Sequence, residues 1–432
     1  GLCYSFLRSK TQISDFKNTF DEKLISIDSL IWFLFVVLSA NQPMKEISTS
    51  YSRALLTGAG LTLLLFALFL ITNWKLSAQE LLMDSPFFLA IYFLIFTVGQ
   101  PDIMSHWQER LKEGTEKVLV FPILLIVLLY AYLILHGHTP FQGSAGLFIF
   151  YLLFPTVGFL AFKKNSLPVV WSDIVFVLLI VIPATSISFG TGTSLPFNGS
   201  GFSNAMRLVI MLSAVYSFGY IRNLPDIGFF PEFRWQSLFT ALGAWLSFVL
   251  LIIILGYFGN FLNFSGNDVF TTKFASEWVK DFVRIFVGTA LFEELFLRGL
   301  LQNILAKKIT QSGKWPVYWK WGFIIFFLLS FVTGYFVQLK MAWFPMLITV
   351  LIFIPAYFIE KKQVTLHGPY TSLAITSIFF GLVHFHSGSL LFVGLASIAG
   401  WAYGYTYMKT KSVFYAALVH ALVNSSEFLF RI

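Results

Sequence analysis

TALFEELFLRGLLQNIL, residues 289–305, sets two adjacent carboxylates and an arginine, Glu293, Glu294 and Arg298, inside an otherwise apolar run. A charged side chain at the centre of a bilayer costs about 2.5–3.5 kcal/mol on insertion scales. Charges in such a run therefore face the protein interior and pair. Glu294 and Arg298 are four apart, so a helix puts them on one face within reach of an ion pair. Glu293 is turned about 100° from Glu294. It points elsewhere and needs another partner.

The rest of the chain supports reading this run as a membrane helix. The 432 residues are 57% hydrophobic and 12% charged, with a mean hydropathy of +0.77. Soluble domains carry roughly a quarter charged residues, so the composition excludes an ordinary soluble enzyme and gives an all-α polytopic membrane protein. A bilayer crossing takes about 20 apolar residues. By that rule about fourteen segments qualify, near 24–41, 54–74, 85–100, 117–137, 145–163, 168–189, 203–221, 237–258, 280–306, 321–339, 341–360, 370–386, 389–408 and 412–431. The first is equally suited to lie in the interface. The net charge of +8 is spread over short loops. It suggests no nucleic acid, and the lipid bilayer is the expected surrounding. The chain is expected to be a multi-pass protein of the plasma membrane, or of the inner membrane in a bacterium.

Lys and Arg accumulate on cytoplasmic loops. Here they fall on alternate loops: Lys45 and Arg53; Arg110 and Lys112; Lys163 and Lys164; Arg222 and Arg234; Lys307, Lys308, Lys314 and Lys320; Lys361 and Lys362; Lys409 and Lys411. These loops are expected on the cytoplasmic side. The tail, with Arg8, Lys10, Lys17 and Lys23, runs against that rule. Cys3 is the single cysteine, which excludes an intramolecular disulfide and a Cys-based zinc site. The start of the chain shows no signal-peptide pattern. After an initiator Met, GLCYS would fit myristoylation at Gly1 and palmitoylation at Cys3; an unmodified terminus is favoured.

Two further polar constellations lie in apolar segments. SIFFGLVHFHSG, residues 377–388, holds Phe380 and His384 four apart, and FYAALVHALVNSS, residues 414–426, holds His420 and Asn424 four apart. Counted inward from the expected cytoplasmic ends, Glu293 and His384 lie roughly 21 Å deep, Asn424 roughly 18 Å and His420 roughly 12 Å. One layer can hold all four. A carboxylate and an imidazole can hold a water and take its proton. A second imidazole and an amide can donate to a developing oxyanion. These are parts for amide hydrolysis without a covalent intermediate. Glu293, His384 and His420 would equally serve as a two-His, one-Glu zinc set, although the HExxH of the usual zinc helix is absent.

The order EExxxR, FxxxH, HxxxN, each in its own apolar helix, resembles the CPBP intramembrane proteases, the CAAX proteases and bacteriocin-processing enzymes. FEELFLRGLL, FFGLVHF and GLASIAGWAYGYTYMKTKSVFYAALVHALVN carry the likeness, over roughly residues 280–426. The resemblance implies an endopeptidase of glutamate or metal-dependent type. Glu293 and His384 would activate water. His420 and Asn424 would stabilise the oxyanion, Glu294 and Arg298 would form a structural pair, and Phe380 would pack beneath the site. The metal-independent mechanism is preferred, with zinc as the alternative cofactor. The implied substrate is a peptide or protein at the membrane, either a prenylated CAAX protein or a leader or bacteriocin-like peptide.

Residues 276–432 would form this domain. Residues 1–275 have no counterpart in its minimal form, and their spans offer a place for a membrane-protein partner. Two rival functions remain. One is a catalytically silent scaffold or assembly factor that keeps the fold to bind a partner. The other is a transporter in which Glu293 carries protons, which calls for internal repeats and broken helices in both halves; neither is visible. His386 is read as interfacial. His106, His136, His138 and His367 are read as loop residues without a role, and Gly394, Gly400 and Gly404 as helix-packing positions. Asn198 and Asn263 each open an N-x-Ser sequence, read as chance.

Overall fold

The computed structural model describes residues 49–72, 77–112, 114–137, 145–162, 168–186, 201–259, 263–264, 272–426 and 430–431. The expectations on 24–41, Gly1, Cys3, His138 and Asn198 lie outside these residues. Helices α1 (Thr49–Thr72), α2 (Ala78–Thr97), the short α3 (Pro101–Leu111), α4 (Val120–Leu135), α5 (Ala145–Ala161) and α6 (Trp171–Ser186) come first. Next are α7 (201–221), which ends in a π-helical turn, and α8 (Trp235–Gly259). The long α9 (272–312) is followed by α10 (Trp315–Gln338), α11 (Trp343–Lys362), α12 (Pro369–Val383), α13 (Leu390–Thr410) and α14 (Val413–Ser425). Strand structure among the described residues is one two-residue antiparallel pairing, Asn263–Phe264 with Phe430–Arg431, so Asn263 is in a strand. Residues 53–432 form one compact unit.

Among the described residues six helices are long and apolar enough to cross a membrane: Ser50–Ile71, Ala78–Thr97, Glu116–Leu135, Trp235–Ile254, Trp315–Met341 and Trp343–Lys362. This is an integral membrane protein. The count of about fourteen crossings is not reached by that measure, because several of the other apolar segments are shorter helices or carry polar groups. The segment placed at 85–100 starts earlier. Ser77 caps α2, its side chain accepting from the Glu80 N–H while Glu80 returns a bond to the Ser77 backbone. The segment placed at 280–306 is the middle of α9, whose first stretch, Thr272–Ile285, is amphipathic.

Lys45, Lys163 and Lys164 lie outside the described residues; among the described residues, several of the other Lys- and Arg-bearing loops are in contact. Gln108 after α2 donates to Asn223 after α7 at 3.2 Å. Lys308 donates to the Val169 carbonyl at 3.2 Å, and Thr310 to that of His367 at 2.6 Å. Lys307 pairs with Asp226. The loop between α7 and α8 is clamped twice more, by the Tyr407 hydroxyl on the Ile227 carbonyl at 3.1 Å and by the Val413 N–H on the Gly228 carbonyl at 2.9 Å.

Buried polar groups are paired across helices. Arg222 grips Asp173 through Nε at 2.9 Å and Nη2 at 3.0 Å, joining α7 to α6. Glu360, fully buried at the end of α11, accepts the N–H groups of Gly368 and Thr371 at 2.6 Å each. Those N–H groups belong to the first turn of α12, which has no other carboxylate to satisfy them. Of the histidines read as loop residues, His106 lies in helix α3, while His136 and His367 are in a turn and a loop and have polar neighbours. His136 Nε2 sits 2.8 Å from buried Asp84, and His367 Nδ1 lies 3.1 Å from the Glu360 carbonyl.

Candidate active site

Two π turns, Phe286–Ala290 and Leu295–Gln302, bracket Leu291–Glu294 in α9. Such turns hold an extra residue and recur at functional sites. Arg298 Nε donates to Glu294 Oε2 at 3.0 Å, and both side chains are 0% exposed. The pair expected from the four-residue spacing is therefore present. Arg298 Nη1 also donates to Thr376 Oγ1 at 3.2 Å, which ties α9 to α12. Gln302 donates to the Gly404 carbonyl at 3.0 Å, which ties α9 to α13. A Cβ at Gly404 would come within 2.5 Å of Leu373 Cδ1 and 2.6 Å of Gln302 Oε1, so both side chains would have to shift. Gly394 and Gly400 likewise sit against Phe344 and Phe380.

Glu294 has a second partner. His420 Nδ1 donates to its other oxygen at 2.9 Å. A carboxylate held by arginine only accepts, so Nδ1 carries the proton. His420 Nε2 then faces Glu293 Oε2 at 3.9 Å, beyond hydrogen-bond length. Glu293 is thus turned from Arg298 and faces the far nitrogen of the ring that Glu294 holds. Adjacent carboxylates on α9 flank one imidazole, because its two nitrogens lie on opposite sides of the ring.

His384 does not sit inside a helix as the spacing suggested. α12 ends at Val383, and His384–Ser387 form a 3-10 turn. His384 Nδ1 donates to the Phe380 carbonyl at 2.7 Å. A carbonyl only accepts, so the neutral ring presents the Nε2 lone pair. The Phe380 ring lies 4.6 Å from His384 and 5.8 Å from His420, and 5.6 Å from the Arg298 guanidinium. Phe380 is thus packed among the polar groups. His386 is exposed.

His384, His420 and Asn424 line one cavity of about 170 Å³. Glu293 is not among its lining residues, and its side chain is 29% exposed. The cavity walls are otherwise mostly apolar and include Phe248 and Ile252 of α8 and Phe392 of α13. Zinc would need Glu293, His384 and His420 as three converging donors. Among the described residues no group of three His, Cys, Asp or Glu is arranged to hold a metal, so the set does not fit as it stands.

Four features were not read from the sequence: the Glu294–His420 bond, the Glu360 cap, Tyr403 stacked on His420, and the α8 wall. For the first two the signal was a carboxylate in or beside an apolar segment. The others are apolar or aromatic residues among many, and only packing singles them out.

Residues 353–426 match the family described as Rce1-like: Type II CAAX prenyl endopeptidase Rce1-like. The match runs from within α11 to the end of α14, so it includes FxxxH and HxxxN and leaves out the EExxxR helix. No curated protein and no solved structure matches the chain. The matched stretch of this integral membrane protein, residues 353–426, agrees with the resemblance to the CPBP family.

Proposed function

We propose that the chain is an intramembrane endopeptidase that hydrolyses a peptide bond with water and no covalent intermediate. The supporting observation is the seat of His420. It lies between Glu294 at 2.9 Å and Glu293 at 3.9 Å, beside a cavity that also holds His384 and Asn424.

In this reading Glu293 and the Nε2 of His384 draw a proton from water. The water oxygen attacks the carbonyl carbon. The Asn424 amide and His420 donate to the oxyanion. The C–N bond then breaks, and the departing amine takes the proton from Glu293. Because Glu294 occupies Nδ1, His420 donates from Nε2, and that atom must carry a proton to do so. Arg298 holds Glu294, and Glu294 holds the ring. No step is routed through a metal.

The Glu294–His420 bond favours a second reading of the same hydrolysis. There His420 is the base, acting through an Nε2 lone pair, with Glu294 as the carboxylate that fixes its tautomer. Glu294→Gln then costs as much kcat as His420→Ala. In the first reading it costs much less.

The substrate class proposed is a peptide or protein at the membrane, a prenylated CAAX protein or a leader-type peptide. The spans of residues 1–275 are proposed to hold a membrane-protein partner. The test uses the full chain in nanodiscs with a quenched farnesylated CAAX peptide and an unprenylated leader peptide. Glu293→Gln and His384→Ala should each lower kcat by about 10²–10⁴-fold while unfolding at the wild-type temperature. Undiminished cleavage in both variants would refute the mechanism. A wild type that cleaves neither peptide yet retains a membrane partner would favour the scaffold. A chelator should leave cleavage unchanged; loss restored by zinc would bring the metal back.

A further inference from the structure

Beyond its bond to Glu294, His420 rests against aromatic rings. Its ring lies flat on that of Tyr403, with centroids 4.6 Å apart and planes 9° apart. Phe380 meets His420 edge-on, at 5.8 Å and 83°. Tyr403 meets Phe380 in turn at 5.7 Å and 75°. Tyr403 is 1% exposed and His420 2% exposed, and both line the cavity.

The bond from Nδ1 to Glu294 is a single point of attachment. It fixes the tautomer but leaves the imidazole free to tilt about that bond. A flat aromatic face against the ring blocks the tilt, because any rotation drives one edge into the neighbouring ring. With Phe380 closing the adjacent side, one orientation remains, with Nε2 turned toward Glu293 and the cavity.

We propose that Tyr403 is a positioning residue that fixes the plane of the His420 imidazole, and that its ring face rather than its hydroxyl does so. This rests on the endopeptidase reading for its consequence in turnover, and on geometry alone for its effect on His420. A displacement near 1 Å at a reacting group can cost about 100-fold in rate, so a tilting imidazole should appear in kcat and leave KM nearly unchanged.

Two variants separate ring from hydroxyl. Tyr403→Phe keeps the face. Tyr403→Met fills the volume without it. With the quenched farnesylated CAAX peptide, Tyr403→Phe should keep kcat within about threefold, and Tyr403→Met should lose about 10–100-fold with KM within about twofold. Carbethoxylation of His420, followed by mass spectrometry of the substrate-free protein, reads the ring directly. It should be faster in Tyr403→Met and unchanged in Tyr403→Phe. A Phe variant as impaired as the Met variant overturns the proposal. So does a Met variant with wild-type kcat or wild-type modification. If Tyr403→Met does not fold, faster modification of His420 in Tyr403→Phe than in the wild type overturns it, and an unchanged rate supports it. If the peptide is not cleaved at all, the endopeptidase reading fails, and the modification rates still decide the role of Tyr403.

Discussion

Arg298→Met removes the guanidinium that pairs with the buried Glu294 carboxylate. The wild-type guanidinium is 0% exposed and bonds Glu294 at 3.0 Å and Thr376 at 3.2 Å. Methionine has similar reach and no charge, so the change leaves the Glu294 carboxylate buried with His420 as its remaining partner. Breaking a buried ion pair from one side costs about 3–5 kcal/mol, most of it the penalty of the stranded charge. The Thr376 bond adds to the loss, while the retained His420 bond offsets part of it. At roughly 2 °C per kcal/mol for a large domain, apparent unfolding should fall by on the order of 6–10 °C. The assay is thermal unfolding in detergent, followed by tryptophan fluorescence at one scan rate. Glu294→Gln on top of Arg298→Met removes the stranded charge and keeps an acceptor for His420 Nδ1. The double variant should therefore unfold at a higher temperature than Arg298→Met alone, with a coupling of about 0.5–3 kcal/mol. An Arg298→Met protein within about 2 °C of wild type, or a double variant as unstable as the single, would refute the argument from burial.

Three more expectations rest on named contacts. Glu360→Ala strips two N–H groups at the start of α12 of their acceptor, and unsatisfied buried donors cost about 1–3 kcal/mol each; unfolding in urea should shift accordingly, and an unshifted midpoint would sink the capping role. Phe248→Ala widens the α8 side of the cavity, so kcat/KM should move toward bulkier apolar substrates by about tenfold when farnesylated and geranylgeranylated peptides are compared; an unaltered ratio means α8 does not touch substrate. Arg222→Met strands Asp173 between α6 and α7 and should destabilise by about 3–5 kcal/mol with little change in kcat of the remaining folded enzyme, and a selective loss of turnover would show that this pair serves the chemistry.

Local spacing carried much of the site. Four-residue intervals put Glu294 with Arg298, and His420 one turn from Asn424, because a helix dictates that adjacency. Several loops of the Lys- and Arg-bearing set are also in contact, where Lys307, Lys308, Thr310 and Asp226 meet their partners from other loops. Contacts between helices were not legible. Nothing in EExxxR says that both glutamates will address one imidazole, since that depends on how α14 lies against α9. His384 looked like a mid-helix residue, but α12 stops at Val383, and glycine in the left-handed conformation at Gly388 (φ 71°) ends the following turn. The α8 wall left no trace because Phe248 and Ile252 read as lipid-facing residues among many. Helix ends were not legible either: a hydropathy window does not register where a helix stops, caps or winds differently.

Those two wider windings in α9 bear on how the chain tolerates changes in length. A π turn stores one surplus residue, so losing a residue from 286–290 would let the helix close into ordinary winding without a break. Because the turn already holds that residue as a surplus, the segments on either side would keep nearly their present facing, and Trp278, Phe282 and Glu293 would stay near their neighbours. Loss of a residue from 295–302 would likewise be taken up locally and leave Asn303 on the Asp226 carbonyl. Gaps that ordinarily fall in loops have, in this protein, two places to fall inside a helix, one on each side of the acidic pair.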